Sequence, residues 1–299
     1  MAVRQNKYSV FGLVIESELA LPELLPGAGE ADVRIVCGKV PAALAKPAVR
    51  TPWYEVATGQ YLLKVDGIAC YHVADGSVIT IEPHPAAQTE DIRVFLFSSV
   101  FAALLQQREY LVLHGSAVVI AGKGVVLAGH SGSGKTAIAL ALYDRDCHFI
   151  TDEFCAISKQ NGKKVVYPGL PELHVWQDTL DKENREVSAY QPIRRGLKKY
   201  AVPIDDRFCA EAVELSNIVL LTHHKRDKVD WRLIEGGAKF EILLHNSYQP
   251  DVAKTMADKA RQFQLYTAVA TTNISQLTFN EQPYKAGEIA NFLLKEVDR

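Results

Sequence analysis

An α/β domain built on a phosphate-binding loop, preceded by a small β-rich domain, is the fold class that the 299-residue sequence predicts. Three observations lead there. The segment Gly129-His130-Ser131-Gly132-Ser133-Gly134-Lys135-Thr136 satisfies Gly-x4-Gly-Lys-Thr, with an apolar run before it and a helical pattern after it. Short strand-like runs separated by Pro- and Gly-containing turns fill residues 8 to 85. After residue 109 the texture changes to alternating strand and helix. The division this predicts is a β-rich domain over residues 1–89 and the α/β domain over residues 90–299.

In the first region the strand-like runs are Tyr8 to Ile15, Asp32 to Cys37, Trp53 to Val56, Tyr61 to Val65, Ile68 to Val73 and Ser77 to Glu82. The turns Leu25-Pro26-Gly27, Asp66-Gly67 and Asp75-Gly76 between them predict an antiparallel meander. Pro83-His84-Pro85 closes the region, and Thr89-Glu90-Asp91 offers an N-cap with acidic residues in the first helical turn. In the helix that follows, Val94, Leu96, Phe97, Val100, Phe101, Leu104 and Leu105 recur at three- and four-residue spacing, which packs one face against a sheet. Next come a strand over Leu111 to Ile120, a turn at Gly122-Lys123-Gly124, a strand over Val125 to Ala128 and a helix over Thr136 to Tyr143. The strand from Cys147 to Thr151 ends on Asp152-Glu153. Asn217 to Thr222 reads as a buried strand, Ala253 to Phe263 as an amphipathic helix and Glu288 to Val297 as a closing helix.

Composition excludes several functions. With 33 Lys+Arg against 35 Asp+Glu and a net charge of −2, the chain lacks the basic excess that a non-specific nucleic-acid or anionic-membrane binder needs. Its three tryptophans and twelve tyrosines are not interleaved with basic stretches, so no stacking platform for single-stranded nucleic acid is expected. The apolar stretches Ala117 to Ile120 and Val125 to Ala128 fall far short of the roughly 20 residues that span a bilayer. Five scattered cysteines in no metal-ligand spacing predict reduced thiols, and the residues Met1 to Lys7 do not read as a signal peptide, so a cytoplasmic location is expected. His223-His224 carries no metal expectation, because adjacent strand residues face opposite sides.

The chemistry is concentrated in the loop. Gly129, Gly132 and Gly134 let the backbone wrap a polyphosphate with the amides of Ser131 and Ser133 pointing inward, and the helix that follows adds a positive partial charge. Lys135 is expected to reach the β- and γ-phosphates, and Thr136 to bind Mg²⁺ through its hydroxyl. A Gly-Ser turn capping a helix would leave Lys135 unexplained. Sixteen residues beyond Thr136, Asp152 and Glu153 come to the same edge of the sheet if their strand lies beside the loop's strand. Two carboxylates there divide the work, one ligating Mg²⁺ and the other accepting a proton from an attacking hydroxyl. A solvated acidic turn is the alternative.

Leu113-His114-Gly115-Ser116-Ala117-Val118, the loop with its strand, and Phe149-Ile150-Thr151-Asp152-Glu153, in that order, resemble the catalytic domain of HPr kinase/phosphorylase. The likeness covers about residues 109–222 and implies the HPr kinase C-terminal, PEP-carboxykinase-like fold, ATP and Mg²⁺ as cofactors, and a protein serine as acceptor. By position, Asp152 matches the residue that activates the hydroxyl, and Glu153 and Thr136 the metal neighbours. His114 matches a histidine near the transferred phosphate, or is a polar residue closing a strand. The family's acidic pair is usually Asp-Asp, and here its second member is Glu153. HPr kinases are typically hexamers, so a homo-oligomer is a possible state.

The N-terminal part differs from that of the bifunctional HPr kinases. Tyr8-Ser9-Val10-Phe11-Gly12-Leu13, Leu21-Pro22-Glu23-Leu24, Asp32-Val33-Arg34-Ile35 and the helix into Gln107-Arg108 resemble diverged HPr-kinase-like proteins of peptide-modification gene clusters. These include kinases of a C-terminal serine of lasso-peptide precursors. Arg194, Arg195, Lys198 and Lys199 form the densest basic run, either a clamp for phosphate or an acidic peptide terminus or a solvated loop. The expectation is thus an ATP-dependent serine kinase with a precursor peptide as partner. The alternatives are an HPr-type kinase with a small carrier protein, a small-molecule kinase, or a nucleotide-responsive peptide-binding module.

Overall fold

The computed structural model describes residues 6–226, 228–256, 258–280 and 285–297; the expectation for Met1 to Gln5 lies outside them. The first strands are β1 (Asn6–Val10), β2 (Leu13–Ser17), β3 (Leu25–Pro26), β4 (Val33–Cys37) and β5 (Val49–Arg50). They are joined by β6 (Tyr54–Ala57), β7 (Gln60–Val65), β8 (Ala69–Ala74) and β9 (Val78–Pro83) in one sheet, ordered β3-β1-β2-β4-β9-β8-β7-β6-β5. Two expectations are corrected here. Tyr8 to Ile15 is a hairpin and not one strand, because Phe11 and Gly12 both take positive φ (54° and 73°), the geometry of a type I′ turn. The meander also fails at β4, which pairs parallel with both β2 and β9.

Helical residues follow as α1 (Thr89–Phe95), a π-helical turn (Leu96–Val100) and α2 (Phe101–Gln107). The N-cap position falls on Gln88 rather than Thr89, with Glu90 and Asp91 in the first turn. The wide turn has a local cause: the Ser98 hydroxyl donates to the Val94 carbonyl at 2.7 Å and competes with the regular ladder. Leu96, Val100, Phe101, Leu104 and Leu105 are buried in one cluster with Val33, Ile35, Tyr71 and Ile79 of the first sheet and Val112, Phe154 and Tyr167 of the second.

The remaining elements are β10 (Leu111–Ile120), β11 (Lys123–Ala128), α3 (Lys135–Tyr143), β12 (His148–Thr151), β13 (Phe154–Gln160), β14 (Lys163–Tyr167) and β15 (Glu172–Trp176). After them come α4 (Gln177–Lys182), β16 (Gln191–Pro192), β17 (Lys199–Pro203), β18 (Val213–His224), β19 (Asp230–Leu233) and α5 (Ala238–His245). The chain ends with α6 (Pro250–Met256), α7 (Lys259–Ala270), β20 (Asn273–Asn280) and α8 (Ala286–Glu296). The turn before β11 is Ala121-Gly122, both at positive φ, and Lys123 and Gly124 already pair as strand. The helix expected over Ala253 to Phe263 is two helices, since the Asp258 side chain accepts from the Arg261 N–H at 3.0 Å and starts α7 afresh. Among the described residues, no helix is long and apolar enough to cross a membrane.

The second sheet carries the loop at the end of β11. β11 pairs antiparallel with β10 and parallel with β18, and β18 pairs parallel with β20. The links β10–β13, β13–β14 and β14–β18 carry the sheet round until it closes on β11. Both faces are covered, which explains the unbroken apolar run of β11. Val125 and Leu127 pack with Ile138, Leu142 and Leu293 from α3 and α8, whereas Val126 and Ala128 pack with Leu243 and Val269 from α5 and α7.

Candidate active site

The glycine-rich loop leaves β11 at Gly129 (φ 147°), turns at Gly132 (φ 81°) and enters α3 through Gly134 (φ 90°). Gly129 is required sterically: a Cβ there would lie 2.7 Å from Ser133 Oγ and 2.8 Å from the Leu221 carbonyl oxygen of β18. Gly134 holds the N-cap position without a side-chain cap, so no side chain competes for the first N–H groups of α3. Lys135 is buried and folded onto its own loop, donating to the carbonyls of Gly129 (2.9 Å) and His130 (2.7 Å). Burial pushes its pKa down to about 8, against the opposing pull of the Asp152 carboxylate.

The strand carrying the acidic pair does not lie beside β11. It lies on the far edge of β10, and because β11 and β12 both run antiparallel to β10 their carboxyl ends still reach the same side. Nor does the strand simply end at the pair. The pairings Ala117↔Thr151 and His114↔Phe154 share one register, so β12 and β13 form one line along β10, interrupted at Asp152-Glu153. Glu153 takes φ 69°, and this left-handed residue sends the two carboxylates to different partners.

Asp152 faces the loop. Its Oδ1 accepts from the Ser116 hydroxyl at 2.5 Å and the Thr136 hydroxyl at 3.1 Å, and its Oδ2 accepts from Thr136 at 3.3 Å and the His174 backbone N–H at 3.1 Å. Glu153 faces the other way, ion-paired with Lys199 and with its carboxylate 3.6 Å from His174 Nδ1. His174 Nε2 in turn meets Glu172 at 2.7 Å, and the Lys199 ammonium sits 5.6 Å from the centre of the half-exposed Trp176 ring. Burial lowers the Lys199 pKa, with Asp152 opposing. His114 Nδ1 lies 2.9 Å from the Glu153 carbonyl. A carbonyl only accepts, so Nδ1 carries the proton and Nε2 is left as an acceptor. Burial, reinforced by the Lys135 charge, pushes the His114 pKa down to about 4.

The expected residues therefore separate into groups. The loop, Lys135, Thr136, Asp152 and His114 converge, and Lys199 joins them through Glu153. Arg194 does not: it lies 3.8 Å from Asp91, with its guanidinium 5.6 Å over Phe95. Arg195 and Lys198 are exposed on the turn before β17. Ser116, Glu172, His174 and Trp176 are additional members of the site. Their signal is period two: His114 and Ser116 share a face of β10, and Glu172, His174 and Trp176 share a face of β15.

A nucleotide with Mg²⁺ fits these residues. Three glycines at positive φ shape the cradle, the buried Ser133 Oγ has no hydrogen-bond partner, and Thr136 with Asp152 offers hard oxygen donors. Among the described residues no three His, Cys, Asp or Glu side chains gather as a metal cage, so a divalent ion would depend on phosphate oxygens as well.

Residues 106–174 match the HPr Serine kinase C-terminal domain family. This HPr kinase-like stretch includes His114, the glycine-rich loop, the acidic pair and His174. Curated relatives agree. The HPr kinase/phosphorylase of Lactobacillus gasseri is 34% identical over 106 residues, covering 32% of this chain and 33% of that protein. Those of Treponema pallidum (32% over 75 residues, 25% of this chain and 22% of the relative) and Chlorobium phaeobacteroides (37% over 60 residues, 20% and 18%) match shorter stretches. The chain thus spans a third or less of the length of these relatives. The HPr(Ser) kinase/phosphatase structure from Coxiella burnetii aligns at 13% identity with a TM-score of 0.35, over 62% of this chain and 88% of that one.

Proposed function

We propose that the chain is an ATP- and Mg²⁺-dependent serine kinase acting on a peptide or small protein. One observation carries this reading: the Thr136 hydroxyl at the start of α3 hydrogen-bonds the Asp152 carboxylate at 3.1 and 3.3 Å, so a phosphate cradle and a candidate base share one point. The loop amides from Ser131 to Thr136 hold the triphosphate, and Lys135 exchanges the carbonyls of Gly129 and His130 for phosphate oxygens. Thr136 and Asp152 are the residues that would hold Mg²⁺, which neutralises phosphate charge when bound. Asp152 takes the proton of the acceptor hydroxyl as its oxygen bonds to the γ-phosphorus and the bond to the departing ADP oxygen breaks. Lys199, aimed by Glu153, adds positive charge on the acceptor side.

The acceptor we favour is a precursor peptide with a C-terminal serine, of the lasso type, because the likeness of the N-terminal part points to peptide modification. A carrier protein of the HPr type is the second candidate, supported by the family match over residues 106–174 and by the HPr kinase/phosphorylase relatives. Mass spectrometry after incubation with ATP, Mg²⁺ and a panel of both acceptor types tests the assignment, with Lys135→Ala as control. A Lys135-dependent gain of one phosphate on the peptide's terminal serine supports the favoured reading. Transfer to the carrier alone replaces the acceptor, and ATP binding with no transfer to any acceptor rejects the kinase.

A further inference from the structure

We infer that Ser116 is a positioning residue whose hydroxyl fixes the orientation of the Asp152 carboxylate; the inference rests on the role proposed above for Asp152. Ser116 lies in β10, fully buried immediately before the apolar stretch from Ala117 to Ile120 and facing the acidic pair across the ladder. Its Oγ donates to Asp152 Oδ1 at 2.5 Å, the shortest contact that carboxylate makes.

The other donors show why this one matters. The Thr136 hydroxyl is split between the two oxygens, at 3.1 and 3.3 Å, and it is the same hydroxyl that the loop motif assigns to a metal. If Thr136 turns away, two donors remain, one for each oxygen: Ser116 on Oδ1 and the His174 backbone N–H on Oδ2. They pin the carboxylate at both ends and leave the lone pairs on the loop side open. Without Ser116, Oδ1 loses its fixed donor and the carboxylate is free to swing about its contact with His174.

A buried strand hydroxyl is costly to desolvate, and alanine fits the same space with no polar atom to satisfy. Asp152 would keep its donors from Thr136 and His174. A positioning role therefore predicts that Ser116→Ala loses function while keeping stability, whereas a purely structural role predicts the reverse.

The test uses the full chain with Ser116→Ala and Ser116→Thr, and reads three quantities. The gain in ATP affinity on adding Mg²⁺, measured by titration calorimetry, needs no acceptor. In Ser116→Ala it falls roughly 10-fold, as expected when a support behind a metal-facing carboxylate is removed. On any acceptor that the wild type phosphorylates, with Mg²⁺ in excess, kcat falls roughly 10- to 100-fold and KM for ATP rises by no more than the roughly 10-fold loss of Mg²⁺-dependent affinity. The melting temperature stays within about 2 °C of wild type or rises. Ser116→Thr, which keeps the hydroxyl, recovers most of both losses. Ser116→Ala with wild-type Mg²⁺ dependence, Ser116→Ala that fails to fold, or Ser116→Thr no better than Ser116→Ala would each overturn the assignment. Should the wild-type chain transfer phosphate to no acceptor, the kinase reading falls, and the Mg²⁺-dependent affinity alone decides the role of Ser116.

Discussion

Lys135 and His114 show how burial near the loop sets protonation. With its pKa down at about 8, Lys135 is charged at neutral pH and loses its proton as the pH rises through 8, whereas phosphates bind the ammonium form. ATP affinity is therefore expected to be flat below pH 8 and to weaken by up to about tenfold per pH unit above it, with proton uptake on binding. Calorimetry in buffers of different ionisation enthalpy measures that uptake, and Lys135→Arg should abolish it. His114 behaves in the opposite range. Its folded pKa of about 4 lies below its unfolded value, so the unfolded chain gains a proton first as the pH falls. Stability is then fully present above pH 6.5 and declines toward pH 4, by about 3 kcal/mol at most. Melting curves of His114→Gln should show a flatter acid limb; an unchanged limb means that His114 is not held neutral. At Asp152, the Asp152→Asn variant should bind ATP without Mg²⁺ nearly as well as wild type, lose at least as much Mg²⁺-dependent affinity as Ser116→Ala, and lose phosphoryl transfer; retained transfer would remove it as the base.

At the level of elements, close backbone approach decides where small residues must stand. A Cβ at Gly115 would lie 2.6 Å from the Leu127 carbonyl oxygen, which is backbone of β11 and does not yield. Gly115→Ala is expected to cost roughly 1–3 kcal/mol and to push β10 away from β11, disturbing His114 and Ser116 on either side. Denaturant melts and nucleotide affinity measured on the same variant check this. The β1–β2 hairpin makes a comparable contact. Phe11 is buried, stacks on Phe154 with ring centres 5.0 Å apart, and donates its N–H to the Pro168 carbonyl at 2.7 Å. Phe154 directly follows Glu153, so the tip of the first hairpin supports the acidic pair from behind. Phe11→Ala is predicted to cost about 3–5 kcal/mol.

On the scale of the whole molecule, the first sheet and the loop-bearing sheet share one hydrophobic cluster through α1 and α2. A fragment of residues 90–299 would expose Phe101, Leu104 and Phe154, and it is expected to aggregate or to melt well below the full chain; a soluble fragment of equal stability would show that the shared cluster is dispensable. The sequence by itself determined the glycine-rich loop, the strand before it, the helix after it and the place of the acidic pair at the end of the next strand, because these depend on contiguous residues whose chemistry and period are local. The expected strand limits are also close for β6 to β9 and for β10 and β12. Only the tertiary structure decided that β12 flanks β10 instead of β11, that Glu153 turns from the loop toward Lys199, and that Arg194 goes to Asp91. It also decided that Ser116 and His174 complete the surroundings of Asp152. Each of these depends on residues distant in sequence meeting across a ladder or a positive-φ turn, and pairwise distances of that kind leave no periodic trace in a single chain.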